Sequence, residues 1–236
     1  MKFGVVIPAA GRGKRMKKEK NKMFIEIADH PVLAHTINIF YKFSKVDWIV
    51  VVAKENEIDI CQEEIINKYG FDGVKIVNGG ETRRESVFSG LQALPDFLDY
   101  VIIHDGARPF LRDSVLYKVS KTLVNHDAVI VAKKVKDTIK LINKKNHVKK
   151  TLNRKRLAAV STPQAFNYNL IMEAHQRVGA EKKVYDDASL VELIDKDVKI
   201  IKDNEENIKL TTPFDLKFAE YIIKNRSENN ESWTWL

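Results

Sequence analysis

Short, almost continuously apolar runs alternate along this chain with amphipathic stretches. FGVVI at 3–7, VDWIVVVA at 46–53, DYVIIHD at 99–105 and AVIVAKKV at 128–135 read as strands. A strand covered on both faces has no polar side to show, so its sequence is a run rather than an alternation. Between the runs, apolar residues recur at helical spacing, as Ile58, Cys61, Ile65 and Ile66 do in a helix predicted over 57–69. Helices are also predicted over 31–42, with Pro31 in the first turn, and near 83–94, 113–125, 167–178 and 187–195. Further strands are expected near 74–77 and at 198–202. TPQAF at 162–166 reads as the lead into a helix, and residues 207–223 as a short strand, a Thr-Pro helix start and a helix. The alternation predicts a doubly wound α/β fold with a mostly parallel sheet.

The pattern breaks at 136–156, which is too polar for a core element and too regular in its Ile and Leu spacing for a linker. It reads as a protruding β-arm, with a hairpin turn near Lys145-Asn146. An arm with a thin apolar face needs a partner, and a second copy of the chain is the obvious one. The expected organisation is one domain over 1–226, including this arm, and a polar tail over 227–236 carrying Trp233 and Trp235.

Composition narrows the class. The chain has 236 residues, 44% hydrophobic and 31% charged, with one cysteine. No intrachain disulfide or thiolate metal cluster is available, which points to a reducing cytoplasm. MKFGVVI reads as a first strand rather than a signal peptide, and no apolar run is long enough to span a membrane. The net charge of +8 is localised: residues 133–156 hold eleven Lys and Arg against one Asp. Such a field attracts phosphorylated ligands or nucleic acid, or is a solvated lysine-rich face. The arm lacks the aromatic interleaving of a single-strand nucleic-acid binder.

PAAGRGKRM at 8–16 follows the first strand, where ligands of such sheets bind. Pro8, Ala9, Ala10, Gly11 and Gly13 permit close backbone approach, and Lys14 and Arg15 add charge to a phosphate cradle. The alternative is a glycine turn with solvated bases. Lys22 is placed to reach over the same loop. In GGETRRESV, Gly79 and Gly80 mark a tight turn and Glu81 or Thr82 caps the next helix. Arg83 or Ser86 then recognises polar edges of a ligand, or the arginines are simply solvated. In HDGARP, Asp105 closes a buried strand as a magnesium organiser and Arg108 pairs with a phosphate, or the two form a structural pair. His104 is expected to support this loop rather than act as a base. Asp186 and Asp187 fit a helix cap and first turn better than a metal site. Lys209 reaches the site only if its segment neighbours that sheet edge.

These motifs, together with TPQAF, YDDASLVE and NIKLTTPFDL in this order, resemble the 2-C-methyl-D-erythritol 4-phosphate cytidylyltransferases over about residues 3–223. The resemblance implies a nucleotidyltransferase-type Rossmann-like sheet with a dimerisation arm. It also implies transfer of CMP from CTP to 2-C-methyl-D-erythritol 4-phosphate, with pyrophosphate released and Mg²⁺ or another divalent cation as cofactor. Arg15 and Lys22 are then the catalytic charges. CTP is bound by Pro8, Ala9, Ala10, Gly11, Gly13, Lys14, Arg15, Lys22, Gly79, Gly80, Arg83, Ser86, Asp105 and Gly106, with Asp105 meeting the metal mainly through the Mg–CTP complex. Arg108, Thr138, Arg154 and Lys209 surround the methylerythritol phosphate. The implied assembly is a homodimer with crossed arms, so that Thr138 and Arg154 serve the neighbouring subunit; nucleic acid and membrane are not expected partners. Asn21, Glu81-Thr82, Gly106 and Leu157-Ala158 depart from residues frequent in that family. Ribitol 5-phosphate cytidylyltransferase is the nearest alternative.

Overall fold

In the computed structural model, which describes residues 1–11 and 22–228 (of Lys22 the main chain only), the apolar runs form the middle of a seven-stranded sheet. The chain enters as β1 (Phe3–Pro8). A 3-10 turn at Lys22–Phe24 and a ribbon of β2 (Glu26–Ile27) and β3 (His30–Pro31) lead to α1 (Val32–Tyr41) and β4 (Val46–Ala53). Next, α2 (Ile58–Cys61) runs on into a π-helical turn at Gln62–Asn67, followed by β5 (Lys75–Asn78), α3 (Arg83–Gln92) and β6 (Tyr100–Ile103). Then come α4 (Asp113–Thr122), β7 (Ala128–Lys134) and a hairpin of β8 (Lys140–Ile142) and β9 (Val148–Thr151). The chain closes with β10 (Ala158–Asn167), α5 (Tyr168–Arg177), α6 (Asp187–Glu192), β11 (Lys199–Lys202) and α7 (Pro213–Glu228).

The strand order is β11-β7-β10-β6-β1-β4-β5, parallel throughout except for β10, which runs antiparallel to both β6 and β7. Side-chain alternation explains the apolar runs. Val5, Ile7, Val51, Ile102, Val129 and Val131 enter the core on one face, with α1 and α4. Val6, Val50, Val52, Val101, Ile103 and Ile130 enter the other, with α3, α5 and α6. The chain leaves β1 toward β4 and β5, then returns to β6 on the opposite side. The carboxyl ends of β1 and β6 therefore flank a topological switch point, where such sheets hold ligands.

Several expected boundaries move. The helix expected over 57–69 is a 3-10 turn at Glu55–Glu57, then α2 and the π-turn. Asp105 stands two residues past the end of β6 rather than closing the strand. TPQAF does lead into the expected helix, α5, but is itself part of β10, an interior strand. No strand forms at 207–210, where Leu210 N–H donates a single main-chain bond to the Ala107 carbonyl. The expected arm is the β8–β9 hairpin, turning at Asn143–His147 with Asn146 in the left-handed region, and both its strands are exposed. The tail expected from 227 begins as the last turn of α7; residues 229–236, with both tail tryptophans, lie outside the described residues.

Candidate active site

Two loops at the carboxyl edge meet without side chains between them. Gly79 N–H donates to the Ala53 carbonyl as β5 ends. A Cβ on Gly79 would stand 3.0 Å from that of Ala10 and 2.8 Å from the Ser86 hydroxyl, so only glycine lets the loops after β1 and β5 close up. The Ser86 hydroxyl accepts from Gly80 N–H at 3.2 Å and donates to the Thr82 carbonyl at 2.9 Å, which fixes the turn. The next helix starts on a capping box. Thr82 Oγ1 accepts from Glu85 N–H at 3.1 Å, and Glu85 Oε2 accepts from Thr82 N–H at 2.9 Å. Thr82→Ala is expected to cost about 1 kcal/mol in urea unfolding. An unchanged midpoint would show that this cap does not hold the loop.

These loops wall a cavity of about 660 Å³, within the range of about 300–1,000 Å³ that holds small ligands. Its floor is Asp105. Three cations converge on this buried carboxylate: Lys209 Nζ at 2.9 Å, Arg108 Nε at 3.3 Å and Arg83 Nε at 3.4 Å. Burial opposes ionisation, but the charges of Arg83, Lys209 and Arg108 outweigh it and hold the carboxyl well below the usual range. Arg83 also donates to the buried Asp187 at 2.8 Å. Burial pushes the Asp187 carboxyl up, against the pull of Arg83.

His104 braces the floor from behind. The Arg108 carbonyl can only accept, so His104 Nε2–H donates to it at 3.0 Å. In the neutral ring Nδ1 then accepts the Thr162 hydroxyl proton at 3.2 Å, while Thr162 Oγ1 accepts from Asp105 N–H at 3.0 Å. Burial lowers the imidazole to about 4, so it stays neutral near pH 7 in this one tautomer. Thr162 is aimed here by an irregularity in β10, whose pairing with β7 breaks between Val160 and Gln164.

Of the residues expected at the site, Pro8, Ala10, Gly11, Gly79, Gly80, Arg83, Ser86, Asp105 and Lys209 line the cavity. Ala9 is buried behind its loop. Gly106 also turns inward: its N–H donates to the Pro8 carbonyl, its carbonyl accepts from Thr36, and a Cβ there would meet Leu33, Ile7 and Met23. Arg108 sits on the far side of Asp105, donating to the Asn207 carbonyl at 3.2 Å. Thr138 and Arg154 belong to the exposed arm; Arg154 donates to the Lys136 carbonyl, and neither residue lines this chain's cavity. Gly13, Lys14, Arg15 and the Lys22 side chain lie outside the described residues.

Asp187, Thr162, Gln164, Lys54 and Glu55 are contributors that the sequence reading did not assign to the site. Gln164 donates to the cap residue Asp186 at 2.9 Å and accepts from Ala188 N–H at 3.0 Å, tying TPQAF to YDDAS. Asp187 continues that tie to Arg83 and so to Asp105. Lys54 and Glu55 line the cavity where β4 ends, a position the carboxyl-edge rule alone marks. Among the described residues no cluster of three or more His, Cys, Asp or Glu could hold a metal, and no helix is long and apolar enough to cross a membrane.

A family model for 2-C-methyl-D-erythritol 4-phosphate cytidylyltransferase matches residues 3–225. A Clostridioides difficile protein of that name is 42% identical over 233 residues, covering 97% of each chain. One from Clostridium kluyveri is 45% identical over 221 residues, covering 93% of this chain and 95% of its own. Among solved structures, the 4-diphosphocytidyl-2C-methyl-D-erythritol synthase of Anaerococcus prevotii superposes with a TM-score of 0.83 at 35% identity, covering 94% of this chain and 96% of its own. The Thermus thermophilus cytidylyltransferase gives 0.75 at 26% identity, covering 95% and 100%.

Proposed function

The chain belongs to the 2-C-methyl-D-erythritol 4-phosphate cytidylyltransferase family, enzymes of isoprenoid biosynthesis, and we propose that the cavity above Asp105 transfers CMP from CTP to 2-C-methyl-D-erythritol 4-phosphate. The observation that carries this reading is the convergence of Lys209, Arg108 and Arg83 on one carboxylate, at the floor of a cavity walled by a side-chain-free loop contact. The cations suit two phosphorylated substrates. The Gly79–Gly80 turn, fixed by Ser86, offers backbone edges to a pyrimidine.

A phosphate oxygen of the alditol phosphate attacks the α-phosphorus of CTP. The new P–O bond forms as the bond to the β-phosphate bridging oxygen breaks, and pyrophosphate leaves with that electron pair. A phosphate monoester with a second pKa of about 6 is already an anion at pH 7, so no general base is required. This matches a site whose histidine is buried, neutral and committed to holding a loop. The protein's part is alignment and charge stabilisation. In this reading Arg15 and Lys22 offset charge on the triphosphate, Lys209 and the Arg154 of a second copy orient the incoming phosphate, and Arg108 supports them from behind Asp105.

A single carboxylate fits a magnesium ion that arrives with the nucleotide, because Mg²⁺ commonly takes one or two carboxylates plus substrate phosphates. Asp105 would hold it there, where the ion supplies charge neutralisation of the departing pyrophosphate. Thr138 and Arg154 fall to the site of a second copy. The exposed Ile142 and Val148, paired across the hairpin, support such an assembly, since apolar side chains left in water favour association. Its nucleotide substrate and single buried thiol suit the cytoplasm.

The base-recognition element is tested by Gly80→Ala. The new Cβ would lie 2.4 Å from the Glu85 Cβ, so the turn must shift. The KM for CTP is expected to rise about tenfold, a loss of about 1.4 kcal/mol of binding, with a lower unfolding temperature because Glu85 belongs to the capping box. An unchanged KM would remove the base from this loop. Titration calorimetry with CTP, UTP and ATP in Mg²⁺ tests the nucleotide: tighter CTP binding is expected, and equal affinities would overturn the reading.

A further inference from the structure

Lys133 lies in β7, one residue before the strand gives way to the arm, and it is half-buried. Its ammonium donates to the Glu205 carbonyl at 2.8 Å and to the Asn207 carbonyl at 3.2 Å. Arg108 donates to that same Asn207 oxygen at 3.2 Å. Asn207 is itself buried, and its side-chain amide donates to the Thr162 carbonyl at 2.7 Å and to the Asp203 carboxylate at 2.9 Å. Two residues further on, with no strand to hold it, stands Lys209 on Asp105.

We propose that Lys133 is a positioning residue for the alditol-phosphate half of the site: together with Arg108 it grips the Asn207 carbonyl and so sets where Lys209 stands. The inference rests on the functional reading above in assigning Lys209 to that substrate. Its logic is geometric. Asp203 is tied to the Ala132 carbonyl and Glu206 to Arg112 and Arg226, which fix the start of the segment, whereas the Asn207 carbonyl, two residues before Lys209, is held by Lys133 and Arg108. Burial works against the charge on Lys133, and Asp203 and Glu205 work for it, so the ammonium is held in place by the oxygens it serves. The nucleotide half, at Gly79–Ser86, is anchored by the capping box, and Arg83 holds Asp105 from that side, so it depends far less on this grip.

Lys133→Met keeps the stem and removes the donors; Lys133→Arg restores donors on a different head. In the full-length protein, Lys133→Met is expected to raise the KM for the alditol phosphate about tenfold while the KM for CTP changes less than about twofold. Lys133→Arg is expected to recover most of the loss. Hydrogen exchange at the Leu210 amide, which bonds to Ala107, is expected to speed up in Lys133→Met and not in Lys133→Arg. A parallel rise of both KM values with a lower unfolding temperature would mark a merely structural lysine. An unchanged alditol-phosphate KM would overturn the proposal. If the wild type turns over no alditol phosphate, the functional reading fails. The exchange result then decides alone: unaltered protection at Leu210 refutes the grip, and faster exchange upholds it.

Discussion

Asp105→Asn is expected to lower kcat by about 100-fold or more, with the chain still folded. The substitution keeps the shape of the side chain and removes the one negative charge on which Lys209, Arg108 and Arg83 converge. Preorganised charge of this kind is worth about 10²–10³-fold when a single contributor is lost. The fold should survive because Arg83 keeps Asp187 and Arg108 keeps the Asn207 carbonyl. Urea unfolding against pH separates the two effects. The carboxyl is depressed in the folded protein relative to its ordinary 3.8, so its stabilising contribution is complete above that value and is lost as pH falls below it. The stability gap between wild type and Asp105→Asn should be constant from pH 5 to 8 and close in acid. A variant that is fully active, or one whose activity falls only in step with its unfolding, would deny Asp105 its place at the reacting centre.

Arg154→Glu and Lys22→Ala, each expected to be nearly inactive alone, should recover activity when mixed and allowed to exchange subunits. Arg154 lies on the exposed arm and does not line its own chain's cavity, whereas Lys22 follows the loop after β1. If arms cross, each mixed dimer holds one site with both residues intact and one site with neither. At equal mixing half the dimers are mixed, so about a quarter of wild-type activity should return. If Arg154 serves its own chain, no site in any combination is complete and nothing returns. Native mass spectrometry confirming mixed dimers without activity would sink the shared site. Lys22→Ala should also leave urea unfolding close to wild type, because on the proposed reading Lys22 acts on the triphosphate and not on the fold.

The strands flanking the site were legible because β1, β4, β6 and β7 are buried on both faces, and burial on both faces writes a run of Val and Ile. β10 left no such trace. Its sequence, AAVSTPQAFN, carries a proline and several polar residues, which ordinarily argue against an interior strand. The polar residues are there because the strand's irregular stretch feeds the site: Thr162 braces Asp105 and Gln164 ties down α6. A sequence pattern tuned to burial misses a strand whose buried middle, Ser161 to Gln164, is spent on hydrogen bonds. The loops announced themselves through composition, since Gly79 and Gly80 or HDGARP at a strand end have few other uses. What could not be read was convergence. Arg83 meets Asp187 across 104 positions of sequence, and Lys209 reaches Asp105 from a segment that forms no strand. Those contacts depend on how elements pack, and local spacing does not encode them. The resemblance to a known family supplied roles for these residues, and the geometry supplies the reason Asp105, Arg108 and Lys209 act as a group.

The most direct test of the account is pyrophosphate release from CTP and Mg²⁺, measured side by side with 2-C-methyl-D-erythritol 4-phosphate and ribitol 5-phosphate. Rapid release with the first, accompanied by the mass of 4-diphosphocytidyl-2-C-methyl-D-erythritol, and little with the second is the predicted result. Preference for ribitol 5-phosphate, or no release with either, would contradict it.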